Sequence, residues 1–248
     1  MTLRTKLTVL LGIRHPVLLA PMGGTAGGRL AAAVSDAGGL GLIGGGRNNA
    51  EWLEREFAAA GNQRVGCGFI TWGLAKQPEL LDRAQTHAPV AVMLSFGDAR
   101  PFLPEIKSAG VPAICQVQSL AQARQVLEHA PTLSSHKAAK RVDTVRPGHI
   151  AARPGDRRHG CGSGRDVPVV AAGGIAHGRG LAAALMLGAT GVLMGTRFHA
   201  AEESCSRRPP SADRRGLGRR HAPYEGLRHR GRRRVAARVH RPRNRQPV

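Results

Sequence analysis

The stretch VPVVAAGGIAHGRGLAAALMLGATGVLMGTRF, residues 167–198, decides the reading of this chain. It predicts a strand, a glycine turn, a helix, a second strand and a second glycine turn. Residues 167–171 form a continuous apolar run rich in β-branched side chains, as expected of a strand covered on both faces. Gly173 and Gly174 follow at its carboxyl end, where the missing Cβ lets backbone N–H groups approach an anion. Residues 180–187 carry helix-forming Ala, Leu and Met, and Gly188 stands where a glycine ends a helix. Residues 191–194 are a second apolar strand, closed by Gly195 and Thr196. Two parallel strands ending in backbone-donor turns match the phosphate site that (β/α)8 barrels build after strands 7 and 8. One such turn is commonplace, but two at this spacing point to a phosphate-bearing ligand.

Working back from that unit, the same alternation runs through residues 16–129. Strands are expected at residues 16–22 (PVLLAPM), 40–43, 65–72, 90–96 and 112–117. Helices are expected at 29–36, 51–60, 79–86, 101–109 and 120–129, with Asn49 as an N-cap for the second. Five strands alternating with five helices predict a parallel sheet built of βαβ units. The first 22 residues hold a short apolar run interrupted by Arg14 and His15. It is too short for a membrane span and reads as a lead-in to the first strand. Cys67, Cys115, Cys161 and Cys205 are widely spaced without CxxC, which indicates neither a zinc site nor a disulfide framework. Cys67 and Cys115 lie in strand-like runs and read as buried, inert thiols.

Two segments break the rhythm. The 248 residues carry a net charge of +21, of which residues 131–166 hold +5 and residues 205–248 hold +13, leaving +3 for the patterned remainder. Residues 131–166 show no apolar period and no strand-like run, although a sixth strand and helix belong there. Residues 205–248 are rich in Arg, Pro and His, with one aromatic residue, Tyr224. A basic tail of that kind suits a non-enzymatic binder of anionic polymers, but it lacks the stacking platforms of single-strand binders. Arg, Pro, Gly, His and Ala are also what GC-rich coding DNA yields out of register. Back-translation in shifted frames allows a strand, a GGHG loop and a globular C-terminus to reappear. The expectation is therefore an incomplete TIM-type barrel over residues 1–204, with 131–166 an irregular or frameshifted segment and 205–248 a basic Arg/Pro-rich tail, either disordered or frameshifted.

With these motifs in view, the chain resembles the nitronate monooxygenases, formerly called 2-nitropropane dioxygenases. The resemblance rests on LLAPMGG (residues 18–24), AAAVSDAGGLGLIGGG (31–46), VGCGFITW (65–72), QVQSLAQA (116–123) and the whole of residues 167–198. It implies FMN as cofactor, with Gly173, Gly174, Gly195 and Thr196 around the phosphate. It further implies Met22 beside the isoalloxazine ring and Gln116 facing the flavin from the barrel interior. On pattern alone Met22 serves equally as core filler and Gln116 as a polar strand end, but both stand at carboxyl ends of strands, where barrel active sites sit.

The implied reaction is oxidation of alkyl nitronates or nitroalkanes by molecular oxygen to carbonyl compounds and nitrite, in a cytoplasmic enzyme. The family's histidine, carried in a GGHG-like segment after strand 6, has no counterpart in the chain as written. His136, His149 and His159 fall in that region without matching context, so the catalytic residue stays unassigned, and His177 reads as an exposed loop residue. No metal, membrane or specific nucleic-acid partner is indicated. The same motifs fit a flavin-dependent enoyl-acyl carrier protein reductase, which draws on a nicotinamide cofactor instead.

Overall fold

The computed structural model describes residues 3–45, 49–128, 133–137 and 167–205. The chain separates into two units, Met1–Arg208 and Pro209–Val248. The second lies outside the described residues, as do residues 138–166, so the frameshift reading of those stretches finds no structural counterpart here.

Among the described residues, the first unit has eight strands: β1 (Val17–Leu19), β2 (Leu42–Gly44), β3 (Gly66–Ile70), β4 (Val92–Ser95), β5 (Ala113–Val117), β6 (Leu133–Lys137), β7 (Val169–Ala172) and β8 (Gly191–Met194). All neighbours pair in parallel, in the order β1-β8-β7-β6-β5-β4-β3-β2. A bridge between Leu18 and Leu40 joins the remaining edges, with Leu19 N–H donating to Leu40 O at 2.9 Å and Leu40 N–H to Val17 O at 3.0 Å. The sheet thus closes into a (β/α)8-type ring with no free edge.

Closure corrects one expectation. Strand 6 is present, because Leu133–Lys137 pairs with β5 through Gln116↔Ser135 and with β7 through Ser135↔Val170. A ladder is satisfied by backbone N–H and C=O groups, which LSSHK has as fully as any apolar strand. Flanking β5 and β7 therefore recruit a segment without strand-like side chains.

Helices α1 (Lys6–Leu11), α2 (Gly28–Asp36), α3 (Ala50–Ala60), α4 (Thr71–Leu74), α5 (Glu79–Thr86), α6 (Leu103–Ser108), α7 (Leu120–Leu127) and α8 (Gly178–Met186) complete the described elements, with 3₁₀ turns at Arg100–Phe102 and Phe198–Ala200. Helix α1 was expected as a lead-in rather than a helix. Thr5 and Thr8 form a reciprocal capping box at its start, and Gly12 ends it in the left-handed conformation.

Two apolar layers follow from the period-2 alternation of the strands. The interior holds Leu18, Leu42, Met93, Ile114, Val170 and Leu193, closed from one end by Leu7 and Leu11 of α1. Leu19, Ile43, Cys67, Phe69, Leu94 and Cys115 pack outward against the helices. Glycines keep the interior narrow: a Cβ on Gly68 would strike the Pro21 ring, and one on Gly191 would strike Leu7. Burial pushes the Cys67 and Cys115 thiols up to about 12, so both stay protonated and unreactive near neutrality.

Candidate functional site

The carboxyl ends of the strands form the open end of the ring, and the sequence-derived candidates collect there. Strand β1 ends at Leu19, three residues earlier than its apolar run suggests, because Met22 begins a turn. The Met22 carbonyl accepts from Thr25 N–H at 3.0 Å and Ala26 N–H at 2.8 Å, folding the glycine-rich loop back onto the barrel. Ala20 N–H donates to Met194 O at 2.8 Å, which ties this turn to the end of β8. A Cβ on Gly195 would lie 3.3 Å from Met22 Sδ and 3.5 Å from Ala20 Cβ. Met22 and Gly195 are therefore direct neighbours, from opposite ends of the chain, and the glycine leaves room for the thioether.

Gly173 and Gly174, immediately after β7, have φ of 98° and 70° and are exposed. Both values lie where a side chain is strained, so glycine is required to turn the backbone at this point. Strand β7 neighbours β8 through Ala172↔Leu193, which places the Gly173-Gly174 and Gly195-Thr196 turns side by side. Backbone N–H groups and the Thr196 hydroxyl, on exposed turns without bulk, are a donor set that suits a phosphate. Gln116 lies on β5, half-buried, one step beyond the interior residue Ile114 on the same face. Its strand stands across the ring from β1 and β8, which carry Met22 and Gly195 at their ends.

The histidines divide. His177 is the N-cap of α8: its Nδ1 accepts from Gly180 N–H at 3.2 Å, so the ring is engaged in holding a helix end. His136 lies in β6, in register with Val117 and Ala171. His149 and His159 lie outside the described residues. Among the described residues no cluster of three or more His, Cys, Asp or Glu could hold a metal ion, and no helix is long and apolar enough to cross a membrane.

One anchoring residue escaped sequence reading. Glu56 on α3 is buried at 6% exposure, and its Oε2 accepts from Gly28 N–H at 3.0 Å, capping the start of α2. Arg55 Nε lies 3.3 Å from its other oxygen. Cys205 reaches the same carboxylate, Sγ to Oε2 at 3.9 Å, while its N–H donates to Thr25 O at 3.0 Å. Burial and the Glu56 charge raise the Cys205 pKa. Glu56 thus fastens the β1–α2 loop to the helical layer. The signal available in sequence was a Glu at an otherwise apolar helix position, beside Leu53, Phe57 and Ala60.

The end of β3 also differs from its reading. The strand stops at Ile70, and Thr71–Leu74 turns into α4. Thr71 Oγ1 donates to Ser95 O at 2.8 Å, joining the ends of β3 and β4.

With this geometry the chain can be set beside known proteins. The family model described as nitronate monooxygenase matches residues 4–142 and 159–212. A 5-hydroxy-7a-methyl-1-oxo-octahydro-1H-indene-4-carboxyl-CoA dehydrogenase of Rhodococcus jostii is 31% identical over 82% of this chain and 57% of its own. Its namesake in Mycobacterium tuberculosis is 34% identical, over 80% and 56%. A nitronate monooxygenase of Neurospora crassa is 30% identical, over 77% and 62%. The chain thus spans less than two thirds of the length of these relatives. Among solved structures, FabK of Thermotoga maritima superposes with a TM-score of 0.68 at 32% identity, over 82% of this chain and 65% of that one. A nitroalkane oxidase of Streptomyces ansochromogenes gives 0.59 at 25%, over 80% and 70%. Its glycine turns, its closed parallel ring and the family model agree, and the chain belongs to the nitronate monooxygenase family.

Proposed function

We propose that this protein is an FMN-dependent oxidoreductase that oxidises alkyl nitronates with molecular oxygen to carbonyl compounds and nitrite. One observation carries the reading: the two glycine turns after β7 and β8 lie side by side, with Met22 against Gly195, in a chain of this family. The family is flavin-dependent in general, and FMN, with one terminal phosphate, fits a donor set of that size.

Bound there, FMN would supply the redox chemistry, taking up electrons from the nitronate and passing them to oxygen. The chain's own part is positional and electrostatic. Backbone N–H groups of Gly173, Gly174 and Gly195, with the Thr196 hydroxyl, would neutralise the phosphate without a bulky side chain in the way. Met22 would present a soft apolar surface that excludes water from one side of the ring. Gln116 would offer an amide donor and acceptor to a polar ring edge from the barrel interior. The residue that handles a proton is unassigned, and His177 is committed to capping α8.

The test is reconstitution of the full chain with FMN, followed by oxygen uptake with a nitronate. Bound flavin with oxygen uptake and nitrite release supports the proposal; flavin binding without oxygen uptake or nitrite release refutes it. A second reading has its own support, since the Rhodococcus and Mycobacterium relatives are named as dehydrogenases of a carboxyl-CoA compound and FabK superposes well. Under it the protein acts on an acyl thioester with a nicotinamide cofactor. Rapid flavin reduction by NADH or NADPH, with no nitrite from nitronates, would decide for it.

A further inference from the structure

Seven large apolar side chains are notably exposed among the described residues: Leu3, Val9, Leu10, Trp72, Phe96, Val169 and Met186. Five of them are aliphatic and stand away from the active face. Leu3, Val9 and Leu10 lie in or before α1, Val169 opens β7, and Met186 closes α8, whose end returns to the far side of the ring. The two aromatic ones stand directly after adjacent strands, at the open end. Trp72, at 60% exposure, follows β3, and Phe96, at 46%, follows β4.

Their backbones are held together, not loosely tethered. Ile70 and Ser95 are paired in register, and Thr71 Oγ1 clamps Ser95 O at 2.8 Å. Gly97 packs so closely that a Cβ there would sit 3.1 Å from Thr71 Cβ and 3.3 Å from Trp72 N. Asp98 Oδ1 then accepts from Arg100 N–H at 3.0 Å and Arg100 Nε at 2.8 Å, fixing the far side of the loop. Within this clamp Phe96 has φ of 60°, a left-handed conformation that a bulky residue adopts only at a cost. Lys76 Nζ lies 5.9 Å from the centre of the Trp72 ring, a cation–π contact that restricts the indole. Glycine would relieve the strain at position 96, and a polar residue would suit the exposure at position 72. Two costly aromatic choices at neighbouring strand ends serve a ligand better than they serve folding.

We infer that Trp72 and Phe96 form an aromatic wall at the mouth of the barrel that packs against the hydrocarbon body of the substrate. The wall selects substrates carrying a long or cyclic apolar group over short ones. This inference rests on the proposed function for the identity of the reacting group, but not for the existence of the wall. Burial of hydrocarbon against two rings is a binding contribution that grows with chain length, so it acts on discrimination rather than on the chemistry at the reacting carbon.

The experiment compares the nitronates of 1-nitrooctane and nitroethane on the FMN-loaded full chain and on the variants Trp72→Ala and Phe96→Gly. The second variant removes the ring while relieving the positive-φ strain. Wild type should favour the octyl substrate in kcat/KM. Each variant should lose about tenfold of that preference through KM, with the nitroethane value within about twofold and flavin content unchanged. Tryptophan emission is recorded in parallel without turnover, under anaerobic conditions. The octyl compound should shift the emission saturably in wild type and not in Trp72→Phe, where Trp52 remains. If neither compound is oxidised but the Trp72-dependent shift appears, the wall stands and the nitronate reading falls. If both are oxidised with a chain-length preference that survives both variants, or no Trp72-dependent shift occurs, the wall is overturned.

Discussion

The two ends of this barrel are built from opposite materials. At the closed end, Leu7 and Leu11 of α1 are 0% and 2% exposed and seal the interior against Leu18, Leu40 and Leu42. At the open end stand glycines, Gln116, the half-buried Met22 and the exposed rings of Trp72 and Phe96. Dispersion and dehydration hold the first region, whereas hydrogen bonds and backbone geometry hold the second. The contrast teaches that stability and ligand binding are separable along the barrel axis, because strand ends contribute to a site without belonging to the core.

Leu7→Ala should break the closed end and spare the open one. Removing a fully buried leucine costs about 4 kcal/mol and lowers the melting temperature by roughly 10 °C. FMN affinity measured well below the transition should stay within about twofold. A calorimetric scan beside a flavin titration checks both, and a parallel loss of affinity would erase the distinction between the ends.

Alkaline pH acts next in size, on the layer between strands and helices. Cys67 and Cys115 stay protonated in the fold up to about 12, against an ordinary 9.0 when unfolded. Their stabilising contribution is complete below pH 9 and is lost as pH rises from 9 towards 12, because only the unfolded thiols ionise in that window. At pH 10 the loss is roughly 1.4 kcal/mol per thiol. Urea midpoints at pH 8 and pH 10 should differ by less in a Cys67→Ala, Cys115→Ala double variant than in wild type.

Glu56→Ala removes the acceptor of Gly28 N–H, at a cost of about 2 kcal/mol. Unlike Leu7→Ala it should weaken FMN binding as well, since the freed loop carries Met22 at its start. Chemical denaturation and flavin titration on one preparation separate the two effects. Smallest in stability is Gly174→Ala, about 1 kcal/mol for a Cβ at positive φ. Its signature is disproportionate: FMN affinity should fall on the order of tenfold as a phosphate hydrogen bond is lost. An unchanged affinity would remove Gly174 from the proposed phosphate site.

Much of the ring was legible from residue patterns. Strand β8 and helix α5 lie where their apolar runs put them, and Asn49 caps α3, its Oδ1 accepting from Trp52 N–H at 2.9 Å. The misses have specific causes. Helix α1 is short and opens with a Thr5/Thr8 box instead of the more readable Thr-to-Glu form, so it passed as lead-in. Strand β6 has no apolar signature at all. The early stop of β3 depends on Thr71 finding the Ser95 carbonyl 24 residues away, a partner that local pattern does not name.

By itself the sequence determined the alternation of strands and helices, the two glycine turns and the family they belong to, because these rest on local period and backbone freedom. Only the tertiary structure decided that the ring closes through LSSHK, that Met22 meets Gly195, that Glu56 holds the β1–α2 loop and that Trp72 and Phe96 share one rim. Those facts join residues far apart in the chain, and such contacts are set by how the whole barrel packs, not by any window of neighbours.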